Sequence, residues 1–225
     1  MKLHPLPALL TLSMALSVAS GAAWAQEDIS KVNGRITAEA GRHYGSLETV
    51  NGGISIEDNA TTGDAETVNG GITVGNGART GDLSTVNGQI SLGQKVVVSG
   101  GIETVNGSVF VDRGGQVSGG VETVNGSIGL VGANLGKGIE TVNGDITVGV
   151  GSHVVGGIEV KKPNFNLSLK PSRKPRVIIG PNAVVEGALD FEREVNLYVH
   201  RSAKIGTVSG ATAQIFDTDV APADR

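Results

Sequence analysis

The chain has no cysteine, which excludes disulfide cross-links, thiolate metal sites, a cysteine nucleophile and a lipid-modified cysteine anchor. Aromatic residues are almost as scarce, with one tryptophan, two tyrosines and four phenylalanines among 225 residues. Sugar sites usually stack on aromatic faces, so a carbohydrate platform is poorly supplied. Beyond the first 25 residues, no apolar run approaches the roughly 20 residues that a membrane-spanning helix needs. Basic residues are outnumbered, 18 against 22 acids. A phosphate backbone is held by clustered Lys and Arg on a positive domain, so no nucleic-acid partner is expected.

The start of the chain reads as a cleavable export signal over 1–25. Lys2 supplies the positive start, an apolar stretch runs from Ala8 to Ala19, and Ala23-Trp24-Ala25 sets small residues before Gln26. The expected address is therefore the periplasm, the outer surface or the medium, with no transmembrane segment after cleavage.

Val-Asn-Gly occurs seven times, at Asn33, Asn51, Asn69, Asn87, Asn106, Asn125 and Asn143, in steps of 18, 18, 18, 19, 19 and 18 residues. A fixed period near 18, rich in Val, Ile, Thr and Gly, predicts coils that stack and lend each other a hydrophobic face. The expected fold is all-β, a single-stranded parallel β-helix (β-solenoid), right-handed by the general preference of parallel crossovers. Each coil should hold three short segments and three Gly-rich corners. Pairs such as Ile54 and Ile56, Ile72 and Val74, or Ile146 and Val148 alternate as strands with one buried face do. Parallel stacking at about 4.8 Å per coil predicts a rod of order 45 Å.

The repeat region is expected over 26–160. Next comes a Pro-containing insertion at 161–176, with six basic residues and three prolines, that leaves the coil and returns. A six-residue spacing, with Val177, Ala183, Leu189 and Val195 in one phase and Ile179, Val185, Phe191 and Leu197 in the other, resumes the solenoid over 177–210. Residues 211–225 are expected to form a C-terminal cap and disordered tail. Gln26 to Ser30 and Thr212 to Phe216 are the candidate end covers, since open solenoid ends expose unpaired strand edges.

Three columns and one basic segment are the candidate sites. The Asn ladder is read as a corner device, because Asn before Gly tolerates positive φ and stacked amides satisfy one another; a binding ladder is the alternative. The carboxylates Glu48, Glu66, Glu103, Glu122, Glu140 and Glu159, interrupted by Ser84, form a surface column whose like charges repel at strand spacing. It is either a cation- or partner-binding edge or a solvated column that discourages aggregation. The Thr column from Thr49 to Thr141 suggests an ice-binding array, but that needs a second outward Thr where the corner Asn stands. Ile102 and Val105 are three apart, so either a bend separates them or one faces out. Lys161, Lys162, Lys170, Arg173, Lys174 and Arg176 offer an anionic-surface contact, or a solvated loop.

The repeated Glu-Thr-Val-Asn-Gly-x-Ile/Val-x-Val units over 48–148 resemble the β-strand-repeat proteins of bacterial envelopes often labelled adhesins. Over 177–210, Val-Ile-Ile-Gly-Pro-Asn-Ala-Val-Val-Glu-Gly-Ala-Leu is similar to bactofilins, the polymer-forming β-helix scaffolds of bacteria. The resemblance implies a structural coil and self-association, and brings no catalytic residue, cofactor or metal ligand. The export signal departs from the bactofilin pattern and points away from a cytoskeletal role.

The expected function is an exported scaffold, adhesive or self-associating surface protein acting on itself or on an envelope polymer, without catalysis. A polysaccharide-modifying enzyme is the second class; it needs paired acids with divergent pKa values, whereas these acids repeat identically. An activity lost on changing Asp190 or Glu192 would favour it. His43, His153 and His200 show no triad or metal spacing. Cation or carbohydrate binding is the third class, although the glycine- and aspartate-rich nonapeptide of calcium-binding β-rolls is absent.

Overall fold

A computed structural model describes residues 27–163 and 173–222. The leader, Gln26, the insertion residues Phe165, Leu167, Leu169 and Lys170, and positions 223–225 lie outside the described residues.

The chain winds as a β-solenoid with three parallel faces. Face 1 stacks ten strands from Ile29–Asn33 through Leu47–Asn51 and Ala65–Asn69 to Leu189–Phe191 and Val208–Ser209. Face 2 stacks ten more from Ile36–Ala38 to Gln214–Phe216, and face 3 seven short ones from Arg79–Thr80 to Lys204–Ile205. Ten rungs thus follow one another along the rod. The register reproduces the sequence ruler, with Asn33 over Asn51, Asn51 over Asn69 and Asn69 over Asn87.

The expected inward pairs line face 2: Ile54 and Ile56, Ile72 and Val74, Ile90 and Leu92, and Val109 and Val111 are all buried. Leu47, Leu83, Ile102 and Ile139 enter the core from face 1, and Val98, Val117, Leu135 and Val154 from face 3. Burial of each such aliphatic side chain contributes about 1.5–3 kcal/mol. One rung lends that burial to the next, so strands of two or three residues suffice.

On face 1 the phase runs from the residue before Glu. Leu47 is inward, Glu48 outward, Thr49 inward and Val50 outward. Thr therefore lies in the core, and the outward hydroxyl array considered above is not formed. Oγ1 of Thr49, Thr67, Thr85, Thr104 and Thr123 each donates to the carbonyl of a corner glycine, at 2.8 to 3.3 Å. Ile102 is buried and Val105 faces out, which settles their spacing without a bend.

The Asn-Gly corner is also built differently from the expectation. None of the ladder asparagines has positive φ; among the described non-glycine residues only Asn59, Lys95 and Asn182 do, at a different corner. The glycine is needed because backbones meet: a Cβ on Gly70, Gly88 or Gly107 would lie 2.0, 1.9 or 1.8 Å from the carbonyl oxygen of the glycine one rung before. Left-handed backbone recurs at the corner between faces 2 and 3, where Gly41, Asn59, Gly77, Lys95, Gly114, Gly132, Gly151 and Asn182 repeat φ values between 53° and 73°.

The solenoid steps over the insertion without losing register. Ile158 pairs with Leu189 and Ile146 with Val177, each 31 residues on. The detour leaves from the corner that carries Asn-Gly in earlier rungs. The candidate end covers are rungs themselves: Ile29 and Ser30 begin the first strand of face 1, and Gln214–Phe216 is the last strand of face 2. Their backbone groups pair with the rung behind them, and they extend the edge instead of closing it.

Candidate functional site: the outer surface of face 1

Face 1 has most of the five-residue strands, and its outer surface carries two parallel ladders. One is acidic: Glu48, Glu66, Ser84, Glu103, Glu122, Glu140, Glu159 and Asp190 stand in register. The other is apolar, Val32, Val50, Val68, Val86, Val105, Val124 and Val142; Val32 and Val124 are 53% and 39% exposed and the rest are half-buried.

Beside the valines runs the Asn ladder at the exposed corner. Each Nδ2 donates to the Oδ1 one rung earlier, from Asn51 to Asn33 through Asn143 to Asn125, at 2.9 to 3.1 Å. All six bonds point the same way, so their dipoles add and the Oδ1 of Asn143 is the negative end. Arg193, two rungs on, donates Nη1 to that oxygen at 2.6 Å and to the Val142 carbonyl at 3.0 Å. Nothing in sequence spacing signals this guanidinium cap. The ladder stands at a corner, and its amides satisfy one another there.

On the other flank of the acids, the corner entering face 1 is almost bare of side chains, with Gly100-Gly101, Gly119-Gly120, Gly138 and Gly157 in successive rungs. The result is a trough of about 1030 Å³, lined by Asp64, Glu66, Asp82, Glu103, Glu122, Glu140, Glu159 and Asp190 with Lys137 as its one cation. Desolvation by neighbouring rungs, with the carboxylates of Glu48, Asp64 and Asp82, pushes the Glu66 carboxyl above its ordinary range. Glu122 is raised by desolvation and by Glu140 and Glu103, against the pull of Lys161 and Lys137. Glu159 is raised by desolvation, which outweighs Lys161, with Glu140, Glu192 and Asp190 adding to it. In the gap of the ladder, Ser84 Oγ is buried and has no hydrogen-bond partner.

The basic segment does not stand out as a free arm. Lys161 pairs with Glu140 and Glu159, Arg173 with Asp145, and Lys174 with Glu194. Arg176 lies over the Tyr198 ring, 5.1 Å from its centroid, and donates to the carbonyls of Ala221 and Pro222. The Lys162 backbone N–H donates to Glu192 at 3.0 Å. At the described ends of the insertion, the side chains of Lys161, Arg173, Lys174 and Arg176 are thus engaged with the rod. Lys170 lies outside the described residues.

His153, expected to be isolated, meets Glu186 at 2.7 Å across adjacent rungs of the third corner. Thirty-three residues separate them in sequence, and only the skip over the insertion makes them neighbours. Among the described residues, no group of three or more His, Asp or Glu is arranged to hold a metal ion. No family profile, curated protein or solved structure matches the chain.

Proposed function

We propose that this is an exported, non-catalytic β-solenoid rod that works as an envelope scaffold or adhesive element by stacking end to end with further copies. The observation that supports it most is the last rung. Ile215 follows Val199 in an inward column, yet it is 67% exposed because no described residue stacks on it. On face 1 the final Val208-Ser209 and the first Ile29-Ser30 carry the same apolar-in, serine-out pattern. A parallel edge accepts a strand of that pattern in only one direction, so the rung that fits the end of one copy is the start of another. Such a heterologous contact does not close and yields a filament. Sedimentation velocity of the full chain, and of the chain from Gln26, should show mass rising with concentration, with Ile215→Lys holding either form back. A strictly monomeric protein that binds no envelope polymer would sink the reading.

A second reading rests on the trough. An acidic channel along several rungs suits a cationic or cation-bridged polymer. Calcium or a polyamine raising the melting temperature, or loss of a polysaccharide-cleaving activity on changing Asp190 or Glu192, would promote it.

A further inference from the structure

In an Asn-Gly pair the backbone can attack its own side chain, because glycine has no Cβ to hinder the approach of its nitrogen to the Asn Cγ. The chain has eight such pairs, the seven ladder copies and Asn76-Gly77. Six are held shut by the fold. Their glycine N–H donates to the next rung, from Gly34 to the Asn51 carbonyl through Gly107 to the Asn125 carbonyl, and from Gly77 to the Gln94 carbonyl, at 2.8 to 3.1 Å. A nitrogen engaged in this way loses its proton and becomes a nucleophile only when the rungs open locally.

The series ends at Asn125 and Asn143. The face 1 strand Val121–Asn125 runs through its asparagine, but the next, Ile139–Thr141, stops short of Val142. Thr141 Oγ1 accordingly misses the corner carbonyl that Thr123 finds, and has no partner. Among the described residues nothing accepts from the N–H of Gly126 or Gly144, and Gly144 is buried. A buried backbone donor without an acceptor is rare. Here it adjoins an exposed side-chain amide whose oxygen is already gripped, since Arg193 Nη1 donates to Asn143 Oδ1 at 2.6 Å. We propose that Asn143 is a modification site, where the chain spontaneously closes a succinimide with Gly144 and reopens as aspartate or isoaspartate, with Arg193 as the oxyanion donor. This goes beyond end-to-end stacking and does not depend on it.

The Gly144 N–H gives its proton to hydroxide, and the nitrogen bonds to Asn143 Cγ while the carbonyl electron pair moves onto Oδ1. The guanidinium receives that charge, as a donor placed in advance at a developing oxyanion does. The pair then returns, the Cγ–Nδ2 bond breaks, and Nδ2 takes a proton from water and leaves as ammonia. Water opens the ring at Cγ to give aspartate, or at the main-chain carbonyl to give isoaspartate. One water is consumed and one ammonia released. Deprotonating Gly144 breaks no hydrogen bond, and the nearby guanidinium offsets the charge where the dielectric is low. The aspartate so formed faces Arg193, which turns the existing contact into a charge-assisted one.

The repeats supply their own controls, because Val-Asn-Gly is the same in every copy. Trypsin separates them: Gly138–Lys161 carries Asn143 as its sole asparagine, Thr80–Lys95 carries Asn87 and Val96–Arg113 carries Asn106. The full chain is aged folded at pH 8 and 37 °C, digested, and each peptide read by mass spectrometry for the exchange of amide for acid. Asn143 should convert at least about tenfold faster than Asn87 or Asn106, the factor set by one protecting hydrogen bond. Asn125, with a free Gly126 N–H but no guanidinium, should fall between. In concentrated urea the copies should age alike. Arg193→Gln, shown to be folded by circular dichroism, should slow Asn143 several-fold and leave Asn87 unchanged. Asn143→Asp should elute from an anion exchanger with the aspartate form of the aged protein. Conversion led by another copy, conversion spread evenly, or a lead of Asn143 that survives in urea would overturn the proposal. An Arg193→Gln variant that converts as fast as the parent would remove the guanidinium from the mechanism.

Discussion

The Thr column allows the same substitution to be tried twice with opposite expected signs. Thr67 and Thr141 are both buried, at 1% and 0% exposure, on the same inward column of face 1. Thr67 Oγ1 donates to the Gly52 carbonyl at 2.8 Å, whereas Thr141 Oγ1 is buried without a hydrogen-bond partner. Valine has nearly the same shape, so Thr→Val changes little but the hydroxyl. At Thr67 it removes a made hydrogen bond, a loss of about 1 kcal/mol. At Thr141 it removes a hydroxyl held out of water unpaired, a relief of about 1 kcal/mol or more. The chain makes this exchange itself one rung later, where Val160 stacks on Thr141. For a chain of this length each kcal/mol moves the melting temperature by about 2–4 °C, so the two variants should separate by about 4–8 °C on either side of the parent. Thermal unfolding followed by circular dichroism, with urea midpoints at unchanged slope, measures the difference. A Thr141→Val variant destabilised as much as Thr67→Val would refute the reasoning, because it would mean that Thr141 is hydrogen-bonded after all.

Three further outcomes follow from the geometry. Gly88→Ala places a Cβ 1.9 Å from the Gly70 oxygen, so rungs must part, at a cost of at least about 2–3 kcal/mol seen as a lower unfolding midpoint. Lys95 occupies a left-handed position, φ 58°, that glycine or asparagine fills in the other rungs; Lys95→Gly should stabilise by about 1 kcal/mol in the same assay. Glu66, Glu122 and Glu159 have carboxyls raised above their unfolded values. Their contribution to stability is therefore fully present below the unfolded carboxylate pKa and is lost as pH rises through the raised folded values. At low ionic strength the melting temperature should be higher near pH 5 than at pH 8, and the triple Gln variant should flatten that difference; an unchanged slope in the triple variant would rule the assignment out.

The rod was legible from sequence because two periods coincide. Residues such as Ile54 and Ile56 alternate within a strand, and the 18- or 19-residue step sets each pair over the next, so face 2 and its core could be named in advance. Face 1 was harder because Thr and Val have similar shape and similar strand preference, and the eye follows the Val of Val-Asn-Gly. The correct phase was available in Leu47, Leu83 and Ile102, two residues before each Thr. The reason for the glycine after Asn was not available, since it is a collision between backbones of neighbouring rungs. Nor were the Arg193 cap, the His153–Glu186 contact and the Arg173–Asp145 pair, each of which joins residues that only the step over the insertion brings together. The acid column was visible residue by residue.

Light scattering of the full chain and the Gln26 form across a concentration series, with negative-stain images of the same samples, tests the central claim most directly. End-to-end stacking predicts mass that grows with concentration and rods that lengthen in steps of one molecule, about 45 Å at ~4.8 Å per rung. Single short rods of constant mass at every concentration, in both forms, would contradict it.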